Sequence, residues 1–146
     1  MAMRGGMRQG VLQIINIKND VFSFVAQRVR ERHQGVFVTG AYTATPARFP
    51  AHTITQIDNR VATRYRTTKI ENAAIVAFET QTYSNKASGK EAEAESIAAT
   101  SDEAFEEIGF TRTMYSVVPN LNDATIYRIV CRYEAIVDKD LWIYQS

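Results

Sequence analysis

Residues 73–83 read Ala73-Ala74-Ile75-Val76-Ala77-Phe78-Glu79-Thr80-Gln81-Thr82-Tyr83. The unbroken apolar run Ile75 to Phe78 suits a strand covered on both faces, which makes this stretch the expected central strand of a sheet. Towards the C-terminus, Asn85 to Gly89 breaks the pattern, and from about Lys90 the period becomes helical. Ile97, Ala98, Ser101, Ala104, Phe105 and Ile108 fall on one stripe. Glu91, Glu93, Glu95, Asp102, Glu103, Glu106 and Glu107 lie mostly outside it, and Gly109 stops the helix. Phe110 to Val118 is then expected as a strand, Pro119 to Asp123 as a turn, and Thr125 to Val137 as a second strand. Tyr127, Ile129, Cys131, Tyr133, Ala135 and Val137 form its apolar face, and the two strands make an antiparallel hairpin.

Towards the N-terminus, Thr53 to Ile57 has β-branched character. Asn59 to Lys69 continues as an arm with Arg60, Arg64 and Arg66 on one side and Val61, Thr63, Tyr65 and Thr67 on the other. Gly40 to Pro50, with Pro46 and Pro50, reads as an extended surface loop, so residues 40–69 form a loop and arm. Val36 to Thr39 can start a strand. Before it, Val21, Phe22, Val25 and Val29 recur at helical spacing, which predicts a helix from Asp20 to about His33 with Asn19 and Asp20 as capping residues and Gly35 as its stop. Residues 1–18, rich in glycine and methionine, are expected as a flexible N-terminal segment. The expected fold is therefore α+β: one domain over 1–146, with two helices packed on a mixed or antiparallel sheet.

The composition is that of an ordinary globular chain: 146 residues, 45% hydrophobic and 23% charged, enough to bury roughly two-thirds of the unfolded surface in one core. No stretch has the apolar length of a membrane span, and the single cysteine excludes a disulfide within the chain, which suits a reducing compartment such as the cytoplasm. The net charge of +1 hides a division: residues 1–69 carry +8 and residues 70–146 carry −7. The two halves can neutralise each other within one subunit, or basic and acidic flanks can meet head to tail between subunits and close a ring. The three arginines of the arm are a solvated face or a docking site, for an acidic protein surface in preference to a phosphate backbone. Tyr65, the one aromatic in the arm, lies opposite them and leaves no stacking platform for single-stranded nucleic acid.

No catalytic constellation emerges. His33 and His52 have no ligand-spaced Cys, Asp or Glu beside them, and Cys131 sits on the apolar face of a strand, where it reads as a small hydrophobe. Ser84 to Glu91 ends in Gly89-Lys90 but lacks the first glycine of a phosphate loop and has Glu91 where a magnesium-binding hydroxyl belongs. The acidic residues of the second helix read as a solvated face. No enzyme activity, metal or cofactor is expected.

Four stretches carry a resemblance: Asn19-Asp-Val-Phe22 with its helix; Ala47-Arg-Phe-Pro50 before a strand, with Asp58-Asn59; Glu79 to Asn85 with Lys86 and the long helix ending in Ile108-Gly-Phe110; and Pro119-Asn-Leu-Asn-Asp123 leading to Ile126 to Tyr133. In this order, from about Asn19 to Val137, they resemble the tail terminator proteins of long-tailed bacteriophages of Gram-positive hosts, also called tail completion or minor capsid proteins. The resemblance implies a virion protein assembled in the host cytoplasm. It implies a ring of six that caps the tail tube, stops its polymerisation and offers the head-joining surface, with DNA passing through the lumen without sequence-specific contact. The tail-tube protein and a head-closure or connector protein are the implied partners, and no membrane is involved. On that reading Arg48, Phe49, Arg60, Arg64, Arg66, Arg128 and Arg132 are candidate interface residues. Arg128 and Arg132 pair either inside the subunit or across the ring, and Asn120 and Asp123 stabilise their turn. The alternatives are a head-closure or adaptor protein, a tail-tube-like protein, and a small nucleic-acid-binding module.

Overall fold

The structure is a computed structural model that describes residues 16–43, 45–62 and 73–145. Its elements are α1 (Lys18–Arg32), β1 (Phe37–Thr39), β2 (Ala51–Val61), β3 (Ala73–Ser84), α2 (Lys90–Glu107), β4 (Thr111–Val117), β5 (Tyr127–Asp138) and β6 (Ile143–Gln145). The sheet order is β1-β2-β3-β5-β4, with β6 also on β5. β1 runs parallel to β2 and every other pairing is antiparallel, so the sheet is mixed and the fold α+β, with the expected central strand at its centre.

Both helices lie on one face of the sheet. The core joins Val21, Val25 and Val29 of α1 and Ile97, Ala104 and Phe105 of α2 to Val76 and Phe78 of β3 and Ile129, Cys131, Tyr133 and Val137 of β5. At its centre the Phe105 ring stacks on Tyr133 at 4.3 Å between centroids and meets Phe78 and Phe110 at 5.7 and 5.4 Å. The apolar run of β3 suggested cover on both faces. Helices cover only one of them, and on the other the closeness of neighbouring side chains buries Ala77, Gln81 and Tyr83.

The arm differs most from expectation. Thr53–Ile57 and the start of the arm are one strand, β2, which begins at Ala51 and whose register with β3 shifts between Gln56 and Asp58. It pairs with β3 as far as Val61, so Arg60 sits within the sheet. Arg64 and Arg66, with the rest of 63–72, lie outside the described residues. Helix α1 starts earlier than predicted: Asn19 and Asp20 fall inside its first turn, and Asn16 Oδ1 accepts a hydrogen bond from the Lys18 N–H instead. Ile17, in the segment expected to be loose, is 1% exposed because it packs into the core, while residues 1–15 lie outside the described residues. Strand β6 was not anticipated. Asp138 Oδ1 accepts from the Asp140 and Trp142 N–H groups and turns the chain so that Leu141 and Ile143 enter the core.

Candidate interaction surface

Strand register brings distant parts of the chain to one corner of the sheet. Ala51 pairs with Phe37 and Tyr83, and Ser84 pairs with Tyr127, so the ends of β1, β2, β3 and β5 coincide. A second apolar cluster of Ala51, Tyr83 and Ile126, packed by Phe37 and Phe49, holds this corner. The loop after β1 is pinned there as well, because the Tyr83 hydroxyl lies 3.0 Å from the Thr43 carbonyl oxygen and 2.6 Å from Gln81 Oε1. Arg48 stands over the Phe37 ring at 5.1 Å, and the Phe49–Pro50 bond is cis.

The helix-free face beside this corner carries a connected polar row. Arg128 Nε donates to Gln81 Oε1 at 3.0 Å, Gln81 Nε2 donates to Glu79 Oε1 at 2.9 Å, and Arg132 Nε donates to Glu79 Oε2 at 2.9 Å. Facing residues in a strand pair stand about 5 Å apart, so Glu79 and Arg132, partners in the register, meet without strain. The guanidinium of Arg128 also lies 6.0 Å from the Tyr83 ring centre, and burial raises the pKa of the Tyr83 hydroxyl above its ordinary value. Replacing Glu79 by alanine strips Arg132 and Gln81 of their shared acceptor. The expected loss is about 1 kcal/mol, because half-exposed Arg132 regains water, and urea unfolding of the variant checks it.

Of the candidate residues, the corner gathers Arg48, Phe49 and Arg128, with Arg132 four residues further along β5. Both β5 arginines find partners inside the subunit. In the β4–β5 turn, Asn120 Oδ1 accepts from the Asn122 N–H, and Asp123 Oδ1 accepts from the Thr125 N–H and hydroxyl. Those two bonds hold the Asp123 carboxyl below the usual carboxylate range. Arg60 stands apart, towards the far end of the sheet, paired with Asp58 and with Glu134. Sequence reasoning missed Glu79, Gln81 and Tyr83. Their alternation at odd positions was the available signal, masked by the apolar residues that precede them.

Part of the opposite charge of the two halves cancels inside the subunit. Arg28 meets Glu107 at 2.8 Å and Arg32 meets Glu103 at 2.6 Å across the α1–α2 contact. Arg112 meets Asp102 at 3.2 Å, and the Tyr133 hydroxyl donates to the same carboxylate at 2.9 Å. Beside this pair lies a depression of about 160 Å³ lined also by Glu106, Phe110 and Thr111. His52 is fully buried, bonded through Nδ1 to Thr82 Oγ1 at 2.9 Å. Its Nε2 meets no partner among the described residues. Cys131 is buried, and burial pushes its thiol pKa up. Among the described residues no group of three or more His, Cys, Asp or Glu is placed to hold a metal ion, and no helix is long and apolar enough to cross a membrane. Comparison with protein-family models and with curated proteins finds no match for this chain.

Proposed function

We propose that this chain is a structural subunit of a phage virion, of the tail-terminator type: a non-enzymatic protein that forms a ring on the end of the tail tube, stops its growth and presents the head-joining surface. One observation carries the reading. Parts of three of the four stretches that resemble this family, at Phe49, Tyr83 and Ile126, are separated by tens of residues in the chain and meet at one corner of the sheet. Unrelated short matches scattered along a sequence have no reason to converge, whereas residues that shape one surface must. The features that support contact with protein there are the Arg48 guanidinium over Phe37, Arg128 held by Gln81, and the loop fastened to Tyr83.

The partners on this reading are further copies of the chain, six to the ring in the resembled family's manner, the tail-tube protein and a head-closure protein. A stop codon in the gene of the parent phage tests it. Negative-stain electron microscopy of the lysate is expected to show over-long tails beside separate, filled heads. Tails of normal length with leaking heads would move the protein to the head side of the neck, and intact virions would remove it from the virion altogether.

A further inference from the structure

Two arginines at the corner of the sheet are held in place but not neutralised. Arg48 stands over the Phe37 ring and Arg128 over the Tyr83 ring. A guanidinium laid on an aromatic face is restrained there and keeps donors at its edge for an outside acceptor. The partner of Arg128 Nε is the side-chain oxygen of Gln81, which carries no charge. Among the described residues neither arginine makes an ion pair, whereas Arg28, Arg32, Arg60, Arg112 and Arg132 all do. Phe37 and Tyr83 flank Ala51 in the register, so the two rings that carry the arginines are two strand spacings apart, about 10 Å, on the helix-free face.

Unpaired carboxylates lie on the other side of the molecule. Helix α2 covers the opposite face of the sheet, and its Glu91 and Glu95 are exposed, one turn and about 6 Å apart along the axis. Neither has an ion-pair partner among the described residues, although Glu103 and Glu107 are taken by α1 and Asp102 by Arg112. Like charges four residues apart repel, and incoming cations relieve that repulsion. The sheet stands between the two arginines and the two glutamates, so they do not neutralise each other within one subunit. Two cations also neutralise too few phosphates for a firm hold on nucleic acid, which is built from many such contacts. They match a pair of carboxylates.

We infer that the Arg48 and Arg128 corner of one copy docks on the exposed Glu91 and Glu95 turn of α2 in a second copy of this chain. Forked, charge-assisted hydrogen bonds from guanidinium to carboxylate set the register. Ala92, Ser96 and Ala99, exposed beside the glutamates, are small and let the half-buried Phe49 of the corner come close. The two surfaces face opposite ways, so the contact passes from copy to copy, head to tail, and closes into a ring when the rotation between copies divides a full turn. The inference rests on the proposed ring assembly and names the surfaces that make it.

Sedimentation velocity on the full-length protein tests it, with two neutralised variants, Arg48→Ala/Arg128→Ala and Glu91→Gln/Glu95→Gln. The natural protein is expected to exceed the mass of a dimer as its concentration rises and to dissociate in high salt. Each variant alone should associate about tenfold more weakly or less, the effect of losing a close charge pair across an interface. An equimolar mixture of the two variants still holds one natural corner and one natural helix face, so it should form a 1:1 pair and nothing larger. Circular dichroism checks that each variant folds; if loss of Arg128 unfolds the chain, Arg48→Ala alone, at an exposed position, takes its place. A natural protein that stays monomeric, variants that associate as it does, or a mixture no different from its parts overturns the inference. Binding of DNA that disappears with the two arginines, without self-association, overturns it in favour of a phosphate partner. Association of the expected kind with intact virions in the stop-codon phage would keep the contact and discard the virion role. Over-long tails from the stop codon, beside normal tails in phage carrying either variant, would do the reverse.

Discussion

Replacing Phe105 by alanine is expected to lower the unfolding free energy by about 3–5 kcal/mol, near the top of the range for one core substitution. Phe105 is fully buried and its ring touches three other aromatic rings, one from each of β3, β5 and the segment entering β4. Truncation leaves a cavity whose walls are rings held by a sheet, and a sheet collapses into such a space poorly. The aromatic contacts add loss beyond the transfer of the side chain. For a chain of this size the melting temperature should fall by about 10 °C, read by circular dichroism, with urea unfolding giving the free energy. A loss below about 1 kcal/mol would show that the cluster is not the centre of the core.

Mild acid is expected to weaken the fold through His52. Burial, with a smaller contribution from His33, lowers its pKa from 6.5 to about 3. The unfolded chain therefore binds a proton below pH 6.5 that the folded chain refuses until about pH 3, so stability is whole above pH 6.5 and declines as pH falls between those values. From pH 7.5 to pH 5 the expected loss is about 2 kcal/mol, most of it below pH 6.5. His33, whose pKa is also lowered by partial burial, acts in the same direction. Urea midpoints measured over this interval should slope in the native protein and flatten in His52→Gln, whatever the absolute stability of the variant. Equal slopes would mean that water or a rearranged neighbour admits the proton.

The arm of the molecule has a separate expected outcome. The Arg64→Glu/Arg66→Glu variant should fold as a monomer and fail in ring or tail assembly, and unaltered assembly would remove those arginines from the interface.

Both helices, the central strand and the β4–β5 hairpin were legible because each is written in a local period. The stripe Ile97, Ala98, Ser101, Ala104, Phe105 and Ile108 is buried throughout, and every odd position from Ile129 to Val137 is buried as expected. Strand β6 was not legible. Three residues are too few to show a period, and Leu141 takes a left-handed conformation, φ 64°, that its type does not advertise. The partners of Arg128 and Arg132 were hidden for a different reason: Gln81 and Glu79 lie about fifty residues away in the chain, and nothing local to β5 names them.

The sequence by itself determined the fold class, the order of the two helices and the longer strands, and the apolar faces of α2 and β5, because burial acts on side chains at fixed helical and strand periods. Only the tertiary structure decided what those faces adjoin. Register set Tyr83 beside Ala51 and Tyr127 and so made one corner of three distant stretches. Helix packing matched Arg28 and Arg32 to Glu107 and Glu103. Charge is countable from sequence, but whether a charge is spent inside the subunit or remains for a partner depends on distances of a few ångströms between residues far apart in the chain.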